Sequence, residues 1–301
     1  MTLRPFLRWV GGKRWLLPSL DNHLPEVIKG RYIAPFLGGG ALFFHLQGAG
    51  RLRRKPLLGD ANRALIKTYR ALRDDVEMVI SGLGWWARFH ADDPKETFKL
   101  VRARFNQFDL DRDEPYNIAV TFIYLNQTCF NGLYRVNRKG KFNVGQDEGR
   151  KAKHILDADL LRSVSGALQG VDLVHSDFEQ TIARARRGDV IYGDPPYVKT
   201  FGKYAGTGFT LTDHTRLRDG LEQASRRGAR VLTSNSSEAA VKRLYRAWEW
   251  DEVYRRGTVS AGKDRRPIPE LLIHSFEPSR RTEVAIPAAR PGDVALFGGV
   301  A

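Results

Sequence analysis

Cysteine is almost missing from this chain: Cys129 is the single one among 301 residues. No disulfide can form within the chain and no thiolate cluster can hold a metal, which fits a reducing cytoplasm. Seven histidines are scattered without paired metal-ligand spacing, so no metal site is expected. Long hydrophobic runs are also missing. No apolar stretch approaches about 18 residues, which argues against a membrane span. Leu3-Arg4-Pro5-Phe6 is followed by charge rather than by the apolar segment of a signal peptide. Negative charge is scarce: 34 acidic residues against 49 basic ones leave a net charge of +15. The excess is concentrated, with 14 basic and 4 acidic side chains in residues 1–74 and 7 against 2 in residues 135–153. Such a chain suits a polyanionic partner, and nucleic acid is the first expectation. A solvated basic surface is the plainer alternative.

What is present in full is the material for a core: 42% of the residues are hydrophobic, ordinary for a globular protein of this length. Residues 32–35 read as a short strand, followed by Phe36-Leu37-Gly38-Gly39-Gly40 and an apolar helix from Ala41 to Leu46. Residues 56–59 form another brief strand ended by Asp60, and a helix from Asn62 carries Leu65, Ile66, Tyr69 and Leu72 on one side. Residues 75–165 have a different texture. Phe98, Val101, Phe105 and Phe108 recur at helical spacing as a core stripe, a second apolar stretch runs from Tyr116 to Leu125, and a basic hairpin spans 131–143. This block reads as an insertion, mostly helical. Strands return at 171–174, 190–192, 231–233 and 270–274. Thr212 is the expected cap of a helix that Gly228 stops. The tail, 284–301, reads as loose.

Asp194-Pro195-Pro196-Tyr197 is the most informative tetrad. It follows Val190-Ile191-Tyr192-Gly193, so it sits where a strand stops, and in open α/β sheets ligands bind at the carboxyl ends of strands. The two prolines remove backbone donors and leave carbonyl acceptors. An ionised Asp adds an acceptor, and Tyr adds a flat face. The set suits a planar ring bearing an amino group; a plain strand-to-loop turn is the competing reading. Upstream, Gly38 and Gly40 let the backbone approach a ligand. Asp60, 20 residues beyond Gly40, is placed to accept from ribose hydroxyls, which favours a nucleoside-bearing cofactor.

Six ordered stretches, from residue 9 to about 275, carry a resemblance. They are Trp9-Val-Gly-Gly-Lys13, Pro35-Phe-Leu-Gly-Gly-Gly40, Gly59-Asp-Ala-Asn62, Tyr124-Leu-Asn-Gln with Phe130-Asn-Gly-Leu-Tyr-Arg135, Asp194-Pro-Pro-Tyr197, and Ser234-Asn235. The chain resembles the Dam-type DNA adenine methyltransferases. That resemblance implies a Rossmann-like α/β sheet, mostly parallel with one late antiparallel strand. It implies a discontinuous S-adenosylmethionine-binding catalytic domain, 1–74 and 166–283, with residues 75–165 as a target-recognition subdomain carrying a β-hairpin. It implies cofactor contacts at Trp9, Lys13, Phe36, Gly38, Gly40, Asp60, Asp177, Phe178 and Asp194, and catalysis by Asp194, Pro195, Pro196 and Tyr197 on a flipped-out adenine, with no metal. Phe36 and Phe178 could equally be core. Duplex DNA would meet Arg8, Phe130, Asn131, Leu133, Arg135, Arg138, Lys139 and Lys141, and a later loop with Lys263, Arg265 and Arg266. The target would be of the GATC type. A monomer or a DNA-bound dimer, a bacterial or phage origin and a cognate restriction endonuclease all fit.

The chain departs from the pattern at two places. Phe142-Asn143-Val144 is followed by Gly145 where the family often has Pro, and Ser234-Asn235 by Ser236-Ser237 where His-Asp is usual. Both bear on the target sequence, not on the reaction. The competing functions are methyl transfer to a cytosine amino group, to RNA or to a protein glutamine, and an inactive DNA-binding relic.

Overall fold

The computed structural model describes residues 3–197, 209–255 and 267–278. Seven strands form one sheet: β1 (Tyr32–Ala34), β2 (Leu57–Asp60), β3 (Asp172–His175), β4 (Val190–Gly193), β5 (Arg230–Ser236), β6 (Glu249–Arg255) and β7 (Ile268–His274), in the order β3-β2-β1-β4-β5-β7-β6. β1 to β5 are mutually parallel. β7 slots between β5 and β6 and is antiparallel to both, so among the described residues it is the one reversed strand of the sheet. β6 had no signal in the sequence, because Glu249-Trp250-Asp251-Glu252 lacks the apolar run that marks the buried strands.

Alternation along the strands builds a three-layer molecule. Ile33, Leu57, Ile191 and Val231 face α8 (Phe178–Ala183) and α9 (Leu211–Arg226) in one core cluster. Tyr32, Ala34, Leu58, Tyr192 and Leu232 face the other way. There they meet α1 (Leu17–His23), α2 (Ala41–Gly48) and α3 (Arg63–Asp74). The α9 cap is Thr210, not Thr212: Thr210 Oγ1 accepts from the Asp213 N–H while Asp213 Oδ2 accepts from the Thr210 N–H, a reciprocal pair that needs the acid three residues on. Thr212 has no acid at that spacing.

The helical block is built from α4 (Val76–Asp92), α5 (Pro94–Gln107), α6 (Pro115–Thr128) and α7 (Ala158–Leu168), the last running across position 165. α6 is buried on nearly every side, between α3, α4 and α5. A hydrogen bond of 2.7 Å between His90 Nδ1 and Tyr124 OH ties α4 to it. Of the stripe Phe98, Val101, Phe105 and Phe108, the first three are core as their spacing indicated, while Phe108 lies just past the end of α5 and is only partly buried. The basic segment is a turn closed by single bridges, Cys129 to Gln146 and Val136 to Phe142, rather than a two-stranded ladder. Asn137 Oδ1 accepts from the N–H groups of Lys139 and Lys141, so the turn is held by its own side chain.

One apolar cluster contains Leu65 and Leu72 of α3, Val79 and Leu83 of α4, Val101 of α5 and Ile118 of α6. We therefore expect sheet and helical block to unfold together. Leu72→Ala, at a fully buried site, should cost about 2–5 kcal/mol and shift one urea transition. Two separated transitions, by near-ultraviolet and far-ultraviolet circular dichroism, would show independent folding.

Candidate active site

The strand order reverses between β1 and β4, and a cleft of about 2070 Å³ opens outside the carboxyl ends of the strands at that point. Each strand delivers a different group to it. β1 leads into Phe36 and the glycines, β2 into Asp60, β3 into Asp177, and β4 into Asp194 and Tyr197.

The glycine loop is shaped by contacts on both sides. Gly38 and Gly40 have φ of 48° and 68°, where glycine has no steric penalty. A Cβ at Gly38 would lie 2.8 Å from Trp9 Nε1, and one at Gly39 2.9 Å from Trp9 Cβ. Trp9 is thus packed on the loop and stacks on Phe122 of α6 at 6.5 Å. Asp60 holds the loop from below: its Oδ2 accepts from the Gly38 N–H at 3.0 Å and its Oδ1 from the Asn62 N–H at 2.8 Å. Burial raises the Asp60 pKa and these two N–H groups oppose the rise. Tyr69 OH donates to the Gly38 carbonyl at 3.1 Å.

Beyond Asp60 lies an aromatic slot. Phe36 and Phe178 stack at 5.4 Å, and Phe209 meets Phe36 edge-on at 5.8 Å. Phe36 and Phe178 both line the cleft; Phe178 is buried in the core on the α8 face, whereas Phe36 is partly exposed. Asp177 caps α8 by accepting from the Glu179 N–H, and Arg216 pairs with Asp177, Glu179 and Asp213.

The tetrad after β4 sits in a charged cluster. Asp194 Oδ1 accepts from Ser234 Oγ of β5 at 2.7 Å and lies 3.1 Å from Lys13 Nζ. Burial raises the Asp194 pKa; Lys13 and Ser234 hold part of that rise down. Lys13, expected among the cofactor contacts, lies here, buried between Asp194 and Glu270 of β7 at 3.5 Å. Tyr197 OH donates to Glu270 Oε2 at 2.7 Å, and Lys13 Nζ stands 4.3 Å from the centre of its ring. Desolvation, then the nearby Asp194 and Glu270 charges, keep the Tyr197 phenol protonated well above its ordinary range. Glu270 was missed by sequence reasoning. An acid directly before Leu271-Leu272-Ile273 in a strand bound for the core was the available signal.

The basic turn borders the same cleft through Leu133, Tyr134, Arg135 and Asn143. The Tyr124-Leu-Asn-Gln stretch explains how it is anchored. Asn126 Nδ2 donates to the Arg8 and Gly132 carbonyls, and its Oδ1 accepts from the Arg8 N–H. Leu133 is partly buried against the core, whereas Phe130, Asn131, Arg138 and Lys139 are exposed. Arg135 Nε donates to Asn143 Oδ1 at 2.8 Å, and Lys141 Nζ donates to the Asn106 carbonyl. The Arg8 side chain turns inward, to the Gln127 and Cys129 carbonyls and to Asp147. Lys263, Arg265 and Arg266, and the tail 284–301, lie outside the described residues.

Histidines that are far apart in sequence do meet: His23, Asp251 and His274 converge at the junction of α1 with β6 and β7. Each ring uses Nδ1 on a backbone carbonyl, Ser19 and Phe276 respectively. His23 Nε2 is 2.7 Å from Asp251 Oδ2. That gap is tighter than two ligands keep around an ion bound at about 2.0–2.1 Å, so the contact is a hydrogen-bonded pair tying α1 to the sheet edge.

Residues 9–259 match the D12 class N6 adenine-specific DNA methyltransferase family. A type II methyltransferase of Lactococcus lactis subsp. cremoris is 33% identical over 284 residues, covering 92% of this chain and 96% of that protein. A type II methyltransferase of Methanocaldococcus jannaschii is 33% identical over 292 residues, covering 92% of this chain and all of its own length. A DNA adenine methylase of Vibrio cholerae is 34% identical over 276 residues, covering 89% and 95%. With the match running from the Trp9 segment through the glycine loop and Asp194 to beyond β6, the chain belongs to the D12 class of N6 adenine-specific DNA methyltransferases.

Proposed function

We propose that this chain methylates the 6-amino group of an adenine flipped out of duplex DNA, with S-adenosylmethionine as donor, within a short target of the GATC type. The observation that carries this reading is Asp194: a carboxylate at the end of β4, locked by Ser234, in the cleft where the sheet order reverses. The donor suits the residues beside it. The glycine backbone is kept bare under Trp9, Asp60 offers a carboxylate for ribose hydroxyls, and Phe36, Phe178 and Asp177 form a slot for an adenine ring. When bound, S-adenosylmethionine supplies a methyl group on a positively charged sulfur.

The protein's own residues then have defined work. The lone pair of an adenine amino nitrogen is delocalised into the ring, so the nitrogen is a poor nucleophile. Asp194 and the Pro195 carbonyl would each accept one of its N–H groups, pull it toward tetrahedral geometry and localise that pair. Positive charge would grow on the nitrogen as its bond to the methyl carbon forms and that carbon's bond to sulfur breaks, and acceptors fixed beforehand would stabilise it without reorganising, the surplus amino proton then leaving to water. Pro195 and Pro196 limit backbone freedom there, and Tyr197 offers its ring to the flipped base. Residues 75–165 are the target-recognition part in this reading. Phe130 and Asn131 press on the duplex, Arg135 pairs with a guanine edge, and Arg138, Lys139 and Lys141 meet phosphates.

Asp194→Ala should abolish most turnover, by about 10²–10³-fold, and leave duplex affinity nearly intact. The assay is radiolabel transfer from S-adenosylmethionine to DNA, RNA and protein in parallel. Label on cytosine or RNA, or near-normal turnover by the variant, rejects the reading.

The same geometry fixes a pH dependence. Asp194 must be ionised to accept, and burial has raised its pKa, so kcat should fall on the acid side at a pH above the ordinary aspartate range. Ser234 stabilises the ionised form, so Ser234→Ala should move that acid limb to still higher pH. A limb that stays put or moves down in the variant contradicts the assignment.

Target reading is tested separately. Replacing Arg138, Lys139 and Lys141 together should make the log–log salt dependence of DNA binding shallower by roughly two to three units. Arg135→Ala should cost about 1–3 kcal/mol of discrimination at one base pair. Methyladenine mapping across the genome of a methylation-free bacterium expressing each form would expose a turn that reads nothing, as unchanged motif sharpness.

A further inference from the structure

Glu270 is a carboxylate in the wrong place for a purely structural strand. It is buried in β7, paired in register with Ser236 on one side and Val253 on the other, and followed by the fully buried Leu271, Leu272 and Ile273. Burying an acid is costly unless it is paired and hydrogen-bonded. Here its partners converge from the cleft: Tyr197 OH at 2.7 Å and Lys13 Nζ at 3.5 Å on Oε2, with Arg255 Nε 3.7 Å from Oε1. Two of those three belong to the active-site segments, one before β1 and one after β4.

Lys13 creates a difficulty that Glu270 can resolve. Its ammonium lies 3.1 Å from Asp194 Oδ1, on the acceptor assigned to the target amino group, and 4.3 Å from the centre of the Tyr197 ring, on a face assigned to the flipped base. An incoming amino group must share or displace it. Once charge grows on the substrate nitrogen, an ammonium left on the same carboxylate would repel that charge and cancel part of what Asp194 supplies. The ammonium therefore needs a second carboxylate within a short swing of its side chain. Glu270 is that group, already in place and fixed by the Tyr197 hydroxyl.

We propose that Glu270 is a positioning residue that draws Lys13 off Asp194 when the target adenine enters, so that Lys13 guards the empty acceptor and Glu270 clears it. This rests on the reading of Asp194 as the acceptor of the amino group. In Glu270→Gln the charge that holds the withdrawn lysine is gone, the side-chain volume is kept, and Lys13 stays on Asp194.

The test is a double-mutant cycle with Lys13→Met and Glu270→Gln, alone and combined, using tritiated S-adenosylmethionine and unmethylated chromosomal DNA. Glu270→Gln should lose about tenfold or more in kcat, as expected for coupling within one charged network. Its duplex affinity and cofactor KM should stay near normal. Adding Lys13→Met should then raise kcat above that of Glu270→Gln, because no ammonium remains to be cleared. A merely structural role for Glu270 gives the opposite result, a double variant no faster than Glu270→Gln, and that overturns the proposal, as does a Glu270→Gln enzyme with normal kcat. Asp194→Ala is run beside them. If it keeps its turnover, the reading of Asp194 has failed; if it is inactive while the cycle shows no rescue, only the role of Glu270 has failed.

Discussion

One ammonium, Lys13, buried between the carboxylates of Asp194 and Glu270, is the interaction on which the site depends. It joins three segments that are remote in the chain: the stretch before β1, the loop after β4 and the reversed strand β7. Each of the three charges would be expensive alone at this depth. Removing one partner from such a buried set typically costs about 3–5 kcal/mol, because the remaining charge is left uncompensated. The cluster therefore fixes where the amino-terminal segment lies. That segment in turn places Trp9 on the glycine loop and Arg8 against Asn126.

The sheet is what allows the cluster to form at all. Five parallel strands end on one edge, and the reversal of order between β1 and β4 opens the cleft there. The glycine loop enters that cleft from β1 and Asp194 from β4. β7 runs the other way, so Glu270 comes from near its start while the other acids come from strand ends. A parallel β7 would carry the Glu270 position to the opposite edge. The antiparallel insertion between β5 and β6 thus places Glu270 beside Lys13 and Tyr197 as well as completing the sheet.

Asp60 illustrates how one side chain can serve the fold and the site together. Its two oxygens bridge the Gly38 and Asn62 N–H groups, joining the loop after β1 to the cap of α3. A donor placed against it would meet a carboxylate whose orientation is already set. The same economy governs the Tyr124-Leu-Asn-Gln stretch. Asn126 satisfies backbone groups of Arg8 and Gly132, and Tyr124 is bonded to His90. The helical block is therefore joined to the amino-terminal segment by polar bonds and to the sheet by the shared core around α3 and α6.

Much of this architecture is legible in the sequence. Short apolar runs marked β1, β2 and β4, the last two ended by Gly-Asp, because strands buried on both faces read as continuous hydrophobic stretches. The spacing from Gly40 to Asp60 and the prolines after Asp194 marked the edge of the sheet at which the cleft opens. The true cap of α9 was readable in the three-residue spacing of Thr210 and Asp213, and placing it at Thr212 overlooked that acid. The chain alone could not disclose β6, whose polar residues suit its edge position. Nor could it disclose the meeting of Lys13 with Glu270 across 257 positions. Local sequence determines which backbone is glycine-permissive, which segments are apolar and which acids stand at strand ends, since these follow from sterics and burial period. Only the tertiary structure decides which charges share a buried space, because that is set by strand order and direction, and neither is encoded within any one segment.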